Sequence, residues 1–140
     1  MSVTLTVNLQ NKRLRSTTAQ VNAAAGSELL PALAGYAYRF IDFAAIAIGG
    51  AAATATSIDI IGTRGGVAVR LAVIAVAALS ENTRVGLGHA NCVILAAGAS
   101  FTPLDANTSV VVATQAYSSA GNLATAVSID VIATYVMESA

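Results

Sequence analysis

The sequence predicts an all-β protein: a jelly-roll-like β-sandwich of about eight antiparallel strands with an extended N-terminal arm. Valine, isoleucine and threonine recur at alternating positions in many short segments, as strands require. Clusters of glycine, asparagine and proline separate these segments at short intervals. Only 10% of the residues are charged and 56% are hydrophobic, whereas a typical soluble domain has about 25% charged residues. These features indicate apolar strands that need more covering than a small single sandwich provides.

The first 26 residues predict an arm, and residues 27–140 the sandwich domain. Residues 3–7 alternate apolar and hydroxyl side chains, which is typical of a half-buried strand. Residues 12–21 read as a more polar extended piece, and residues 22–27 as a flexible turn. Residues 27–31 predict a short helical turn that Pro31 limits.

The remaining strands follow from apolar runs bounded by turn residues. We expect strands at residues 36–48, 54–61, 67–76, 84–87, 91–96, 108–114 and 125–136. Turn clusters occupy residues 62–66, 80–83, 103–107 and 118–122. No segment recurs at a fixed period.

The faces of these strands predict self-association. In the last strand, alternate residues form one apolar face, which consists of Val127, Ile129, Val131, Ala133 and Tyr135. Residues 67–79 are apolar on both faces except at Arg70. A two-sheet sandwich buries one face of each sheet, so a second apolar face indicates a homo-oligomer. The alternative is an ordinary sandwich with alanine-rich outer faces.

Isolated charges inside the predicted strands are Arg39, Asp42, Asp59, Arg70 and Asp130. A buried charge is costly without a partner, so pairing among them is expected, although the sequence assigns no pairs. The alternative is that they lie at solvent-facing edges.

One basic cluster predicts an interface. Lys12, Arg13 and Arg15 lie within four positions of the arm, where they would contact an acidic neighbouring surface. The alternative is a solvated strand edge whose charges discourage unwanted pairing.

The residues that carry chemistry are scarce. His89 and Cys92 are three residues apart, but no orienting acid accompanies them, and zinc needs more ligands than these two. The glycines of residues 62–66 lack the lysine and serine or threonine of a phosphate loop. We therefore expect no enzyme activity, catalytic residue, cofactor or metal site.

Two partner classes are also not expected. The formal net charge is zero, which argues against nucleic acid. A membrane span needs roughly 18 consecutive apolar residues, and residues 43–58 are interrupted by glycines and hydroxyl residues. The N-terminus lacks the basic and apolar regions of a signal peptide, so we expect synthesis in the cytoplasm without export by that route.

Residues 38–47, followed by residues 54–60, are similar in pattern and composition to the opening strands of small phage virion proteins of jelly-roll type. The resemblance implies a capsid decoration, or cement, protein on the capsid surface. Such a protein would bind the major capsid protein as a homotrimer and stabilise the phage head, with residues 1–26 as its arm. No residue-level motif is carried over.

Two other functions remain open. One is a receptor- or glycan-binding domain of a tail or head fibre, although the chain has no tryptophan and its tyrosines lie mostly in or beside strands. The other is a self-assembling shell or tube subunit.

Overall fold

The computed structural model describes residues 9–53, 57–86, 93–95, 102–114 and 123–139. Over these ranges the protein is an all-β, sandwich-like fold of antiparallel sheets, which confirms the predicted all-β class, while the jelly-roll arrangement stays a prediction. The predicted strand at 3–7, the loop at 118–122, His89 and Cys92 lie outside the described residues.

Two main sheets form the sandwich. The first has the order β1 (Gln10–Thr17), β11 (Ser128–Ser139), β3 (Tyr36–Ile48) and β7 (Val85–Gly86). The second has the order β2 (Ser27–Leu30), β9 (Val110–Ala113), β5 (Ser57–Arg64), β6 (Val67–Ala75) and β8 (Val93–Leu95). A small ribbon pairs β4 (Ala52–Ala53) with β10 (Ala124–Thr125). The helical elements described are α1 (Thr18–Asn22) and a 3₁₀ turn at Val76–Ala78.

The long strands β3 and β11 form the centre of the first sheet. Strand β3 has the bounds that the sequence predicts, and it pairs with β11 along its length, with a bulge at Thr134 and Tyr135. The inner face of β11 is apolar and buried from Ile129 to Tyr135, as predicted. Val127 is the exception, because it precedes the strand and is 66% exposed.

An aromatic cluster fills one part of the core between the sheets. The rings of Phe40 and Phe43 are stacked with centroids 4.9 Å apart, and Tyr38 meets Tyr135 edge-on at 5.5 Å. Burial raises the pKa of the Tyr38 and Tyr135 hydroxyl groups. Tyr38 donates its hydroxyl hydrogen to the carbonyl oxygen of Pro31 at 2.6 Å, so this polar group is satisfied inside an apolar environment.

Residues 10–22 belong to the sandwich, which corrects the predicted arm boundary at residue 26. Strand β1 pairs with β11 in continuous register from Gln10 to Thr17, and Val21 is completely buried in the core. The predicted extended piece over 12–21 is also interrupted by α1. Thr17 and Gln20 form a reciprocal capping box that starts this helix, and the Thr-x-x-Gln spacing is its sequence signature.

The structure also corrects two local predictions at the second sheet. The predicted helical turn at 27–31 is wrong, because β2 pairs with β9 there and buries Leu29 and Leu30. The predicted turn at 62–66 is shorter, since β5 continues to Arg64 and only Gly65 and Gly66 turn the chain. Both glycines have positive φ angles, +61° and +74°, as a two-residue hairpin turn requires.

No helix in the described part of the chain has the length and apolar character needed to cross a membrane.

Candidate functional site

The basic residues of β1 meet a buried carboxylate on the outer face of the first sheet. In the antiparallel register, Arg15 lies opposite Asp130 and Arg13 lies opposite Ile132. The neighbours of Asp130 in β11, Ile129 and Val131, face the core. The Asp130 side chain therefore points to the other face, yet its exposed fraction is 0%. The two arginine side chains lie across this carboxylate.

The contacts of Asp130 are short and charge-assisted. Arg15 donates from Nε to Oδ1 at 2.8 Å and from Nη2 to Oδ2 at 3.1 Å, which is a two-pronged geometry. Arg13 donates from Nε to Oδ2 at 2.7 Å. The hydrogen bonds from Arg15 are the largest cause that holds the pKa of Asp130 below its ordinary value, against the opposing effect of burial. The same contact raises the pKa of Arg15.

The three predicted interface residues do not all lie on the same face of β1. Arg13 and Arg15 come together on Asp130, and their side chains remain 54% and 62% exposed. Lys12 alternates with them along β1, opposite Ala133, and is exposed. Of the isolated strand charges expected to pair with one another, Asp59 and Arg70 do so. Asp130 pairs instead with Arg13 and Arg15, and Arg39 with Glu138. An interface with another protein stays a prediction.

A second buried aspartate occupies the corresponding place in the other sheet. Asp59 lies on the central strand β5 between Val73 of β6 and Ala113 of β9, and it is also 0% exposed. Ser57 donates its hydroxyl to Asp59 Oδ1 at 3.2 Å, and Arg70 Nη1 lies 3.8 Å from the same oxygen.

A short repeat in the sequence marks both aspartates. The pattern Ser-Ile-Asp-x-Ile-x-Thr occurs at residues 57–63 and again at residues 128–134. In each copy the isoleucine before the aspartate is completely buried in the core. A single recurrence is not a fixed-period repeat, but it is a signal in the sequence that connects these two positions.

Other charges stabilise local structure. Arg39 and Glu138 form an ion pair across β3 and β11. At the β5–β6 turn, the Asp105 carboxylate accepts the N–H groups of Gly65 and Gly66 at 2.9 Å and 2.8 Å. These two hydrogen bonds lower the pKa of Asp105, with that of Gly66 the larger cause.

Exposed apolar side chains gather at one end of the sandwich, which we call the apolar end. Strand β3 begins there and β11 finishes there, because Tyr36 pairs with Ser139. The segment 102–108 connects this end to the β5–β6 hairpin: Asn107 N–H donates to the Tyr36 carbonyl at 3.1 Å, and Asp105 N–H donates to the Thr63 carbonyl at 2.9 Å. The exposed apolar residues at this end are Leu9, Leu33, Tyr36, Val67 and Met137.

The opposite end differs. Of the seven large apolar side chains that are exposed in the described residues, only Val127 lies there, because it precedes the start of β11. The remaining one, Ile41, lies at the bulge of β3 on the outer face of the first sheet. Five of the seven exposed large apolar side chains of the described residues therefore lie toward the apolar end.

In the described ranges, no three histidine, cysteine, aspartate or glutamate side chains are grouped as a metal site would need. Comparison with known proteins finds no matching family model, curated protein or solved structure.

Proposed function

We propose that this protein is a structural subunit of a virion, a capsid decoration protein that binds the phage head as a homotrimer and stabilises it. The single observation that supports self-association most strongly is the apolar end, where five of the seven exposed large apolar side chains gather. Contiguous exposed apolar surface marks interaction sites. Its removal from water would stabilise a trimer by roughly 25 cal/mol for each Å² buried.

The charged residues fit the same role. Arg13 and Arg15 contact Asp130, and Arg70 contacts Asp59, so the two buried carboxylates have partners within the chain and need none from another subunit. Attachment to the major capsid protein rests on the resemblance to small virion proteins. Three copies on one particle would also bind jointly more tightly than one copy alone.

Light scattering after size exclusion tests the self-association. The wild type is expected to have the mass of three chains at micromolar concentration. The variant Leu33→Ser/Tyr36→Ser/Met137→Ser, which makes the apolar end polar, is expected to be a folded monomer. Val127→Ser is the control, because Val127 is also apolar and, at 66%, even more exposed, but lies at the opposite end. It should remain a trimer.

A monomeric wild type, or loss of the trimer in Val127→Ser but not in the triple variant, would contradict the assembly at this end. The attachment to a capsid needs a separate measurement. Gold-labelled antibodies against the chain should decorate the heads of native particles in electron micrographs. Label on the tail fibres would instead identify the receptor-binding alternative.

A further inference from the structure

Strand β1 is an edge strand with an open side. The first sheet has the order β1-β11-β3-β7, so β1 pairs with β11 and, within the described residues, has no strand on its other side. Six of its eight residues are exposed. Ser16, near the C-terminal end of β1, is the one buried residue of the strand, and its hydroxyl shares a hydrogen bond of 2.6 Å with that of Ser27 in β2. An edge strand presents backbone N–H and C=O groups to which another extended chain can bind.

The open edge is strongly basic. Lys12, Arg13 and Arg15 bring three positive charges, while Asp130 supplies one negative charge to the same cluster. Because Arg13 and Arg15 keep more than half of their side-chain surface exposed, they retain donors for further acidic groups. An approaching strand therefore meets a net positive edge.

This charge excludes a second β1 as the partner. Two copies of β1 side by side would place like charges opposite each other, which is destabilising in a sheet. The chain also has no acidic strand to offer, since no stretch of six residues contains two of its seven acidic residues. The occupant is thus an extended segment of a different protein.

The geometry points to an acidic β-strand of another protein as the ligand of the β1 edge, with two acidic residues at alternate positions. Arg13 and Arg15 are two residues apart and lie on the same face, so acidic residues at positions i and i+2 of the added strand can face both. Leu14 lies on the other face and packs partly against the core, so the residue between the two acidic ones is apolar. This inference rests on the proposed function and deepens it, because it gives the sandwich a docking site for its partner.

Binding of a labelled peptide to the full chain tests the proposed β1 docking site directly. The probe is a fluorophore-labelled peptide of eight residues in which valine and threonine alternate and two alternate central positions are glutamate. Fluorescence anisotropy should show saturable binding that weakens as salt is added. The same peptide with glutamine at both positions should bind about tenfold more weakly, because two opposite-charge pairs across strands are lost. A glutamate peptide with N-methylated backbone amides should not bind, since strand addition uses those N–H groups.

Variants identify the site on the protein. Arg13→Gln/Arg15→Gln should reduce the affinity for the glutamate peptide about tenfold. Because this change also leaves Asp130 without its partners, Arg13→Gln/Arg15→Gln/Asp130→Asn is a second variant that removes the uncompensated carboxylate as well and should show the same loss. Arg39→Gln removes one arginine from the same sheet at a distance from β1 and should bind as the wild type does.

Equal binding of the glutamate and glutamine peptides, or full affinity in the variant Arg13→Gln/Arg15→Gln/Asp130→Asn, would overturn the inference. Light scattering on the same samples separates this failure from that of the proposed function. A trimer that ignores the peptide contradicts only the β1 site, and a monomer that binds the peptide contradicts only the assembly.

Discussion

The repeated segments around Asp59 and Asp130 each bury an aspartate, but the two carboxylates have different charged contacts. Each aspartate lies on a central strand, on the outer face of its sheet, with no exposed surface. In each case an arginine lies opposite the isoleucine two residues further on: Arg70 opposite Ile61, and Arg13 opposite Ile132. The difference is directly across the strand, where Asp130 faces Arg15 and Asp59 faces Val73.

This one cross-strand position decides which arginine contact each carboxylate receives from its neighbouring strand. Arg15 gives Asp130 a two-pronged contact at 2.8 Å and 3.1 Å, whereas Arg70 stays at 3.8 Å from Asp59. A buried carboxylate costs several kcal/mol of desolvation unless charge and hydrogen bonds offset it. A repeated strand sequence therefore does not fix its own electrostatics, because the charged partner comes from the neighbouring strand.

Neutralising each aspartate in turn should give the largest effect on stability and shows how much the contacts of each carboxylate contribute. Asp130→Asn should lower the free energy of unfolding by about 3 kcal/mol, because hydrogen bonds to a charged group are lost and an amide N–H faces the two arginines. Asp59→Asn, the matched variant of the other copy, should cost less than about 1 kcal/mol, since its contacts with Ser57 and Arg70 are longer. Urea denaturation followed by circular dichroism measures both. Equal losses would show that the two sites are energetically alike.

The sixth position of the repeat offers a second test, because Gly62 in one copy corresponds to Ala133 in the other. A Cβ atom at Gly62 would lie 2.6 Å from Leu104 Cδ1 and 2.9 Å from Cδ2, and Leu104 is buried. Gly62→Ala should therefore cost about 2 kcal/mol by overpacking.

Leu104→Ala removes the clashing atoms and completes a double-mutant cycle for this site. Adding Gly62→Ala to the Leu104→Ala background should cost much less than it does in the wild type, because the two residues are in contact. Additive losses would place the strain of Gly62→Ala somewhere other than Leu104.

Acid unfolding should give the smallest effect, and it tests the ionised state of the carboxylates specifically. The pKa of Asp130 is lowered in the folded state, so its contribution to stability is present above the unfolded pKa of about 3.9 and is lost as the pH falls further, through the folded pKa. Asp130→Asn should flatten the fall of the urea midpoint below about pH 4. Asp105→Asn should flatten it in the same direction, since the N–H groups of Gly66 and Gly65 lower the pKa of Asp105. Parallel curves for the wild type and Asp130→Asn would contradict the role of the arginines.

Several long strands of the fold are predictable from local pattern. Strand β3 has its predicted bounds, β6 differs from its prediction only at its last residue, and the inner face of β11 is correct from Ile129 onward. These segments alternate β-branched or aromatic residues with small ones, and their turns contain glycine. Both signals act over a few residues, so the sequence contains them fully.

The errors occur where distant segments compete with local preference. Residues 27–30 resemble a helical start but become β2, because pairing with β9 buries Leu29 and Leu30. The polar residues of β1 resemble a free arm but join the sheet, because β11 provides a partner strand for all eight of them. The capping box at Thr17 is readable from the sequence, since its two residues are only three positions apart.

Alternation and turn chemistry operate between near neighbours, so the amino-acid sequence is enough to predict the all-β class and the long central strands, and to indicate that charges within them need partners. Which charges pair depends on the folded arrangement of the strands, since Arg13 and Arg15 are 117 and 115 residues away from Asp130 along the chain. The tertiary structure also gathered Leu33, Tyr36 and Met137 at one end of the sandwich. Contacts of this kind depend on the order and register of strands in a sheet, and no local pattern of residues encodes that order.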